Sequence, residues 1–399
     1  MSQTESKKKN IAFVTSDLKS GGSERVASRL TSLFGDRYNN YYIVFNSEDI
    51  SYEINAELID LNVPPTDNKA KKVVNTFKRA AGIRRAVREH DIDVLFSFTT
   101  IANRAMLFSR ANCKKIGACR GYEDLMLHPA NYHRLIRFGS KILFNSRESE
   151  EYYLAKYPGD AAKCVTIENL FDIGIIREMA KEELSPEHAA FFASHKTLTT
   201  VGILSRHKGH WDLLKSFEIL KEKVPDAGLV IVGHRGLLEK QIKEMAANNK
   251  YREDILFTGY QSNPFKFLAK SDVYVHSSIS EGFPNAIIEA MACGAPCVST
   301  ACATGPCEIM FDEYRKVSPK GDYVIADNGV LTPVFDGIID YDYSHKSEAH
   351  EVFAAAAERL LSDKELAEKL ARAGAARADR CDEAMIADKY FELIEGEEK

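Results

Sequence analysis

Short apolar runs rich in Val, Ile and Phe alternate with segments of helical periodicity along most of this 399-residue chain. Strands that are apolar on both faces and separated by helices are typical of parallel sheets covered by helices on both sides. The alternation therefore predicts an α/β protein with two doubly wound parallel sheets. The runs fall into two sets: residues 11–17, 41–46, 94–98, 115–120 and 141–146, then residues 197–204, 227–233, 254–260, 272–278 and 295–300.

A polar, proline-containing segment at residues 181–196 separates the two sets and contains no apolar run. We therefore predict two Rossmann-like domains, residues 1–190 and residues 191–375, that face each other across a cleft. From residue 348 onward the chain is rich in Ala, Leu, Glu, Lys and Arg, which favour helices. We expect C-terminal helices on the outside of the second sheet, and a final helix at 376–399 that can cross back to the first domain.

Composition excludes several classes of protein. No apolar run approaches the roughly 18–20 residues needed to span a bilayer, and the N-terminus MSQTESKKKN leads into a strand without the apolar core of a signal peptide. We therefore expect a cytoplasmic protein whose eight cysteines are free thiols. Cys293, Cys297, Cys302 and Cys307 lack the paired C-x2-C of zinc sites, and the histidines lack ligand spacing, so we predict no metal.

Charge is distributed unevenly along the chain. The net charge is −5, but residues 69–147 carry 17 Lys and Arg against 5 Asp and Glu. A basic block inside an acidic protein indicates an anionic partner, such as a phosphate group, nucleic acid or a membrane surface. The aromatic residues Phe77, Phe96 and Phe98 fall on helix or buried-strand positions rather than on an exposed stacking surface, which disfavours nucleic acid.

Ligands of open α/β sheets bind beyond the carboxyl ends of the strands, so the turns that follow strands hold the candidate residues. After the first run, Gly21 and Gly22 open a helix whose N-terminus favours an anion, although an ordinary flexible turn is an equal alternative. After the first run of the second domain, Arg206 and Lys208 could neutralise a diphosphate, or form a solvated basic turn. Arg120 ends another run inside the basic block, where it could either bind an anion or form a structural salt bridge.

The most specific stretch is SSISEGFPNAIIEAMACGAPCVST, residues 277–300. Gly282, Phe283 and Pro284 form a turn, and Pro284 suits the first position of the helix that follows. Glu281 precedes this helix, where a carboxylate can accept hydrogen bonds from sugar hydroxyls, and Glu289 lies about one turn inside it. Alternatively, Glu281 is an acid on the surface and Glu289 a charge on an exposed helix face. The apolar flanks favour a buried helix instead, and acids on a buried helix need partners.

These residues resemble family 4 of the retaining glycosyltransferases, which have the GT-B fold. Residues 280–309, SEGFPNAIIEAMACGAPCVSTACATGPCEI, are similar to that family's E-x7-E signature. GGSERV resembles its N-terminal glycine loop, VGILSRHKG its cationic donor loop, and VTIENLFDIGIIREMA the segment that leads to its interdomain linker. The resemblance covers about residues 10–395 and is to the bacterial enzymes of lipopolysaccharide, capsule and lipid-linked oligosaccharide assembly.

The resemblance implies a nucleotide-diphosphate sugar, a UDP-sugar, bound mainly by the second domain, and an acceptor held mainly by the first. Glu281, Lys208 and Arg206 are then the catalytic residues, and Arg120 and Glu24 contact the acceptor. The family has Arg directly after the donor-loop glycine, where this chain has Ile203, and Arg206 is our hypothesis for its replacement. The implied donor contacts are Gly21, Gly22, Tyr260, Gly282, Phe283, Pro284, Asn285 and Glu289.

The implied reaction needs neither a metal nor another cofactor, because cations and helix N-termini at the diphosphate can stabilise its developing charge. The basic segment 69–90 has Val73, Phe77, Ala80 and Val87 at helical spacing, so it can lie on an anionic membrane or pack on its own sheet. We expect an enzyme, peripheral on the inner face of the membrane, that transfers a hexose or N-acetylhexosamine to a lipid-linked glycan. A GT-B-like nucleotide-sugar epimerase and a catalytically silent GT-B subunit are the alternatives.

Overall fold

The computed structural model describes residues 7–19, 21–48 and 50–396. It separates into two compact units: Met1–Leu170 together with Glu383–Lys399, and Phe171–Asp382. Each unit is built around a seven-stranded sheet with helices between its parallel strands. The prediction of two parallel α/β sheets followed by helices is therefore confirmed.

The first unit has the sheet order β3-β2-β1-β4-β5-β6-β7, and every neighbouring pair is parallel. Its strands are β1 (Asn10–Thr15), β2 (Asn39–Val44), β3 (Glu57–Asp60), β4 (Val94–Ser97), β5 (Lys114–Cys119), β6 (Ser140–Phe144) and β7 (Cys164–Thr166). Its helices before the second unit are α1 (Gly22–Phe34), α2 (Lys69–Glu89), α3 (Thr100–Ser109), α4 (Tyr122–Leu127), α5 (Pro129–Arg137) and α6 (Arg147–Lys156), with 3-10 helices at Gly35–Arg37 and Pro158–Lys163.

The second unit has the order β10-β9-β8-β11-β12-β14-β13, in which β13 and β14 form an antiparallel pair at one edge. Its strands are β8 (Lys196–Val201), β9 (Ala227–Val232), β10 (Ile255–Gly259), β11 (Val273–His276), β12 (Cys297–Thr300), β13 (Val324–Ile325) and β14 (Val330–Thr332). Its helices are α7 (Ile173–Met179), α8 (Pro186–Ser194), α9 (His210–Lys223), α10 (Glu239–Ala247), α11 (Phe265–Leu268), α12 (Asn285–Ala292), α13 (Pro306–Met310), α14 (Glu348–Ser362) and α15 (Lys364–Asp379), with 3-10 helices at Arg206–Lys208 and Arg252–Asp254.

The segment 171–190, which we assigned to the first domain, lies in the second unit. Ile173 and Ile176 of α7 are buried in the same apolar cluster as Ile287 of α12. Helix α7 is therefore part of the core of the second unit. The polar segment 181–196 contains α8, which begins at Pro186 after Ser185, whose side chain accepts a hydrogen bond from the His188 amide. The polar segment lies near the boundary between the two units, but the chain enters the second unit at Phe171, before that segment begins.

The last helix, α16 (Glu383–Glu395), belongs to the first unit, whereas residues 376–382 of the segment that we predicted to cross back lie in the second. Ile386 and Tyr390 are fully buried in the cluster that contains Phe96 of β4. Salt bridges join Arg29 to Glu383 at 2.5 Å and Lys9 to Glu395 at 2.6 Å. The final helix is therefore part of the first unit's core.

Helix α2 does not bury the whole apolar stripe that its sequence suggests. Ala80 and Val87 are 3% and 6% exposed and pack on the sheet, whereas Val73 and Phe77 are 59% and 56% exposed. Arg79, one of the basic residues of this segment, is only 8% exposed and donates to the carbonyl oxygen of Val63 at 2.9 Å. The C-terminal half of the helix is thus packed, and the N-terminal half presents apolar and basic side chains to solvent.

We predict that Ile386→Ala lowers the free energy of unfolding of the first unit by about 2–5 kcal/mol, because it leaves a cavity in a fully packed core. Lys389→Ala, at an exposed position of the same helix, should change it by less than about 0.5 kcal/mol. Hydrogen exchange of the amides of β1 and β4 measures this unit specifically. Equal protection of these strands in the two variants would show that α16 contributes no stability to the sheet.

Candidate active site

The carboxyl edge of the second sheet brings together the loops that follow β8, β11 and β12. The Ile279 amide donates to the His207 carbonyl at 2.7 Å, and the Ser277 hydroxyl donates to the Lys208 carbonyl at 2.8 Å. The Glu281 amide donates to the Ala303 carbonyl at 3.0 Å. These bonds fix the three loops to one another, so side chains on them have set positions.

Gly209 is required where the first of these loops turns into α9. Its φ of +60° is in the left-handed region, and a Cβ atom there would lie 2.3 Å from the Ser277 carbonyl oxygen. A side chain at this position would push the β11 loop away from the 3-10 helix Arg206–Lys208. The glycine therefore sets how closely Lys208 approaches the loop that carries Glu281.

Four side chains meet at this edge, and we call Lys208, His276, Ser278 and Glu281 the Glu281 cluster. The Glu281 Oε1 atom accepts hydrogen bonds from Lys208 Nζ at 2.6 Å, from Ser278 Oγ at 2.7 Å and from His276 Nε2 at 3.2 Å. The exposed fractions of the side chains are 10% for Glu281, 17% for Lys208 and 3% for His276. The sequence predicted Glu281 and Lys208 as site residues, and the structure brings them into direct contact.

The electrostatics keep Glu281 ionised. Burial alone would raise its pKa, but the Lys208 ammonium and the hydrogen bond from His276 outweigh burial and hold the pKa of Glu281 well below its usual range. Burial lowers the pKa of His276, so its imidazole is neutral at pH 7. With Nε2–H donating to Glu281, Nδ1 lies 2.9 Å from the Ser299 hydroxyl oxygen, and this contact helps to fix the ring.

The turn that follows Glu281 leads into α12. Phe283 is 6% exposed and packs in the cluster that contains Ile287, which anchors the turn. Pro284 was predicted at the first helical position, but it is the N-cap, because its ψ of 81° is not helical, and the helix begins at Asn285. The Thr304 hydroxyl donates to the carbonyl oxygen of Gly282 at 3.1 Å.

Glu289 lies about one turn into α12 and is 6% exposed, as the apolar flanks predicted for an acid on a buried helix. Its carboxylate therefore sits on the same helix whose N-terminus follows the Glu281 turn. The burial of Glu289 argues against the alternative of a solvated helix-face charge.

Other predicted donor residues lie outside the Glu281 cluster. Arg206 is exposed, and its guanidinium donates to the Gly337 carbonyl oxygen at 3.4 Å. Ile203 is 49% exposed at the start of the same loop. Tyr260 is 69% exposed after β10, with its ring centroid 4.9 Å from that of His234. The structure therefore gives Arg206 and Tyr260 surface positions on strand-end loops and no contact with Glu281.

The predicted residues of the first unit lie near the carboxyl end of β1. Gly22 is the first residue of α1, and the Gly21 amide donates to the Tyr52 hydroxyl at 3.3 Å. Glu24, in the first turn of α1, lines a cavity of about 840 Å³. Burial raises the pKa of Glu24, and the positive charge of Arg120 partly offsets that rise.

Arg120 follows β5 and carries a buried charge. Within residues 7–19, 21–48 and 50–396, its two terminal guanidinium nitrogens have no hydrogen-bond partner. The guanidinium carbon lies 5.5 Å from the centre of the Phe98 ring. The buried Tyr390 hydroxyl interacts with the guanidinium and partly offsets the cost of its burial, and an anionic group that reached it would stabilise it further. This geometry favours an anion site over a structural salt bridge at Arg120.

Three residues that complete this edge were missed from the sequence: His276, Ser278 and Ser299. The signal was present, since His276 ends a buried strand and polar residues follow it where ligands of such sheets bind. His210 was also missed. It is 2% exposed at the start of α9, and burial lowers its pKa to about 3.

The described residues contain neither a candidate metal cluster nor a candidate membrane-spanning helix. In that part of the chain, no group of three or more His, Cys, Asp or Glu side chains could hold a metal ion. No helix there combines the length and apolar composition needed to cross a bilayer. Burial raises the pKa of Cys293 to about 12, so this thiol stays protonated.

Residues 181–323 match the family described as glycosyl transferases group 1. An uncharacterized glycosyltransferase of Methanocaldococcus jannaschii is 27% identical over 91% of this chain and 94% of its own length. The N-acetylgalactosamine-N,N'-diacetylbacillosaminyl-diphospho-undecaprenol 4-alpha-N-acetylgalactosaminyltransferase of Campylobacter jejuni is 27% identical over 74% of this chain and 82% of its own length. The crystal structure of Anabaena HepE in complex with UDP and glucose superposes with a TM-score of 0.73 at 17% identity, over 97% of this chain and 99% of that one.

The fold is GT-B. The family match covers α8, the loop after β8 and the turn between Glu281 and α12, so the sequence similarity and the Glu281 cluster coincide. Together they support a GT-B glycosyltransferase enzyme.

Burial of His210 should make the stability of the second unit depend on pH. Its pKa is lowered by burial from 6.5 to about 3, so the unfolded chain binds a proton that the folded chain does not between these pH values. The free energy of unfolding should therefore fall by about 1.4 kcal/mol per pH unit from this group as the pH drops through that window. His210→Leu should remove this part of the slope.

Urea unfolding followed by fluorescence of Trp211, which is fully buried in the second unit, measures the effect. His345→Gln is the control, because the side chain of His345 is 70% exposed. An unchanged slope in His210→Leu would contradict the burial argument.

Proposed function

We propose that this chain transfers a hexose or N-acetylhexosamine from a UDP-sugar to a lipid-linked glycan, with retention of configuration. The observation that carries the proposal is the buried, ionised Glu281 held by Lys208 at 2.6 Å at the carboxyl edge of a parallel sheet. UDP and glucose are bound in the Anabaena HepE structure of the same fold. The name of the Campylobacter relative describes transfer to a diphospho-undecaprenol-linked sugar.

The Glu281 cluster has unused capacity for a sugar diphosphate. One Lys208 N–H points to Glu281, which leaves the ammonium two further donors for diphosphate oxygens. The three observed bonds all go to Oε1 of Glu281, so Oε2 can accept from hydroxyls of the transferred sugar. The amides of Gly282 and Phe283 lie in the turn before α12, where the helix N-terminus favours negative charge. Glu289, on the same helix, is then the partner of the ribose hydroxyls.

The chemistry follows from these charges. Breakage of the bond between the anomeric carbon and the diphosphate oxygen develops positive charge on the sugar and negative charge on the leaving group. Lys208 stabilises the leaving diphosphate, and the ionised Glu281 stabilises the sugar cation, since its lowered pKa makes it a poor proton donor. The acceptor oxygen attacks the face from which the diphosphate departs, and the acceptor proton passes to the diphosphate oxygen. In this proposal the reaction uses the chain's own charges and no metal ion.

The acceptor belongs to the first unit in this proposal. Glu24 is positioned to accept a hydrogen bond from an acceptor hydroxyl in the cavity that it lines. The two terminal guanidinium nitrogens of Arg120 are buried and have no partner within hydrogen-bonding geometry in the described chain, so Arg120 suits an anionic group of the acceptor. The exposed apolar and basic side chains of the N-terminal half of α2 support our proposal that the enzyme works at the anionic cytoplasmic face of a membrane.

Glu281→Ala should lower turnover by about 1000-fold or more while UDP binding persists, because the carboxylate acts on the sugar and Lys208 on the diphosphate. Nucleotide release from UDP-sugars, measured with and without a lipid-linked glycan, gives turnover, and calorimetry gives UDP binding. Glu253→Ala is the matched control, since the side chain of Glu253 is 87% exposed in the same unit. Trp211 fluorescence checks that each variant is folded.

An equal loss of turnover and UDP binding in Glu281→Ala would contradict the assigned role. Glu281→Gln keeps the shape of the side chain and removes its charge, so it separates charge from packing. Nucleotide release that does not depend on the acceptor would favour the epimerase instead, and no release with any UDP-sugar would favour a silent subunit.

Binding to vesicles that contain anionic lipid should weaken about fivefold for each charge removed at Lys71 and Lys72, which are exposed beside Val73. Co-sedimentation of Lys71→Gln and Lys72→Gln with such vesicles measures this loss. Lys364→Gln, whose side chain is 90% exposed in the second unit, is the control. Equal sedimentation with neutral and anionic vesicles would count against the membrane surface.

A further inference from the structure

Two cavities of the first unit share a wall. The first has a volume of about 840 Å³ and the second about 620 Å³, and both are lined by Val73, Thr76 and Arg104. Val73 and Thr76 belong to α2, and Arg104 belongs to α3. The two cavities therefore form neighbouring compartments along these two helices.

The first cavity is lined mostly by polar and charged residues and lies at the carboxyl ends of β1 and β2. Ser16 and Asp17 follow β1, and Asn46 follows β2 by two residues. Glu24 and Asn75 add further hydrogen-bonding groups to its wall. Carboxylates and amides placed around an open cavity are groups that bind sugar hydroxyls.

The second cavity is apolar and aromatic. Phe77 of α2 and Phe108 of α3 have ring centroids 5.4 Å apart, and Phe138 follows α5. These three rings are 56%, 44% and 58% exposed. Large aromatic side chains grouped in a groove and left this exposed are typical of a binding surface.

Cations surround this apolar cavity. Arg104, Arg110 and Arg134 line it and are all exposed. Asp124 is the one acid among the described residues that line it, and it already accepts hydrogen bonds from the Tyr132 hydroxyl at 2.6 Å and the Thr100 hydroxyl at 3.0 Å. The excess of positive charge therefore favours an anionic occupant.

We propose that the second cavity holds the hydrocarbon chain of a phosphate-bearing lipid acceptor, next to the phosphate. Arg104, in the shared wall, binds the phosphate, and the first cavity holds the sugar. Along α2 and α3, the first cavity, Arg104 and the second cavity follow one another in the same order as glycan, phosphate and hydrocarbon in such a molecule. This inference rests on the proposed lipid-linked acceptor and adds that one lipid chain is bound in a groove, separately from adsorption to a bilayer.

The test uses farnesyl phosphate, a single prenyl chain with a phosphate, with the full chain and without vesicles, detergent or donor. Titration calorimetry compares it with farnesol and with inorganic phosphate, below the concentration at which farnesyl phosphate forms micelles. We expect farnesyl phosphate to bind at least tenfold more tightly than either fragment. Phe108→Asp and Phe138→Asp should each weaken it at least tenfold, and Arg104→Gln should weaken farnesyl phosphate while leaving farnesol unchanged.

Matched controls use exposed residues of the same unit that do not line the cavity. Leu127→Asp places a charge at an apolar side chain that is 62% exposed, and Arg85→Gln removes a charge from α2. Both should bind farnesyl phosphate as the unmodified chain does. The two Phe variants change exposed positions, and comparison of their unfolding with that of Leu127→Asp identifies any loss caused by misfolding.

Absence of farnesyl phosphate binding, or binding that Phe108→Asp and Phe138→Asp leave unchanged, would overturn the proposal. Binding to anionic vesicles without binding to farnesyl phosphate would assign the aromatic groove to the bilayer surface, which also overturns it. Because no donor is present and no turnover is measured, a failure of the glycosyltransferase proposal leaves this result unaffected.

Discussion

The carboxylate of Glu281 is kept ionised in a nearly buried position, and the second unit is arranged around that requirement. Burial of an unpaired charge costs several kcal/mol, so the carboxylate needs a cation and hydrogen-bond donors at fixed distances. The cation comes from the loop after β8, and the other donors come from the end of β11 and the loop that follows it. These strands are neighbours in a parallel sheet, which places their carboxyl ends at one edge. The sheet order is therefore what makes the cluster possible.

The neutral imidazole of His276 has a different role from the ammonium of Lys208. It donates a directional hydrogen bond to Glu281 without adding a second positive charge, and Ser299 fixes its orientation. In the proposed reaction, the positive charge near a leaving diphosphate then comes from Lys208 alone within this cluster. A protonated His276 would compete with Lys208 for the carboxylate, and burial disfavours that state.

Ten strands could be predicted because each contains a run of apolar residues, most of them buried on both faces, although β10 at a sheet edge is only partly buried. Strands β3, β7, β13 and β14 were missed, since they are two to four residues long and lie at or next to the sheet edges. In β3, Glu57 and Asp60 are exposed, which removes the apolar pattern. The change of core at residue 170 was also missed, because only packing shows that α7 joins the second unit.

The candidate site could be predicted only in part. The E-x7-E stretch and the cationic loop pointed to Glu281 and Lys208, but these residues are 73 positions apart and nothing local shows that they form an ion pair. A single histidine at a strand end has no spacing signature, so His276 was missed. The burial of Arg79 could not be predicted, because helical spacing says which residues share a side of a helix, but not which side faces the sheet.

The basic block illustrates how charge counted along a chain differs from charge available to a partner. Some of its cations bond to backbone carbonyl oxygens of the first unit, namely Arg79, Arg84, Lys114 and Lys115. Exposed cations remain at the start of α2 and around the aromatic cavity, where the apolar stripe of α2 is also uncovered. Because the other half of that stripe packs on the sheet, α2 cannot lie on a membrane along its whole length. In our proposal, an anionic partner therefore meets the chain at the N-terminal half of α2, where the two cavities adjoin.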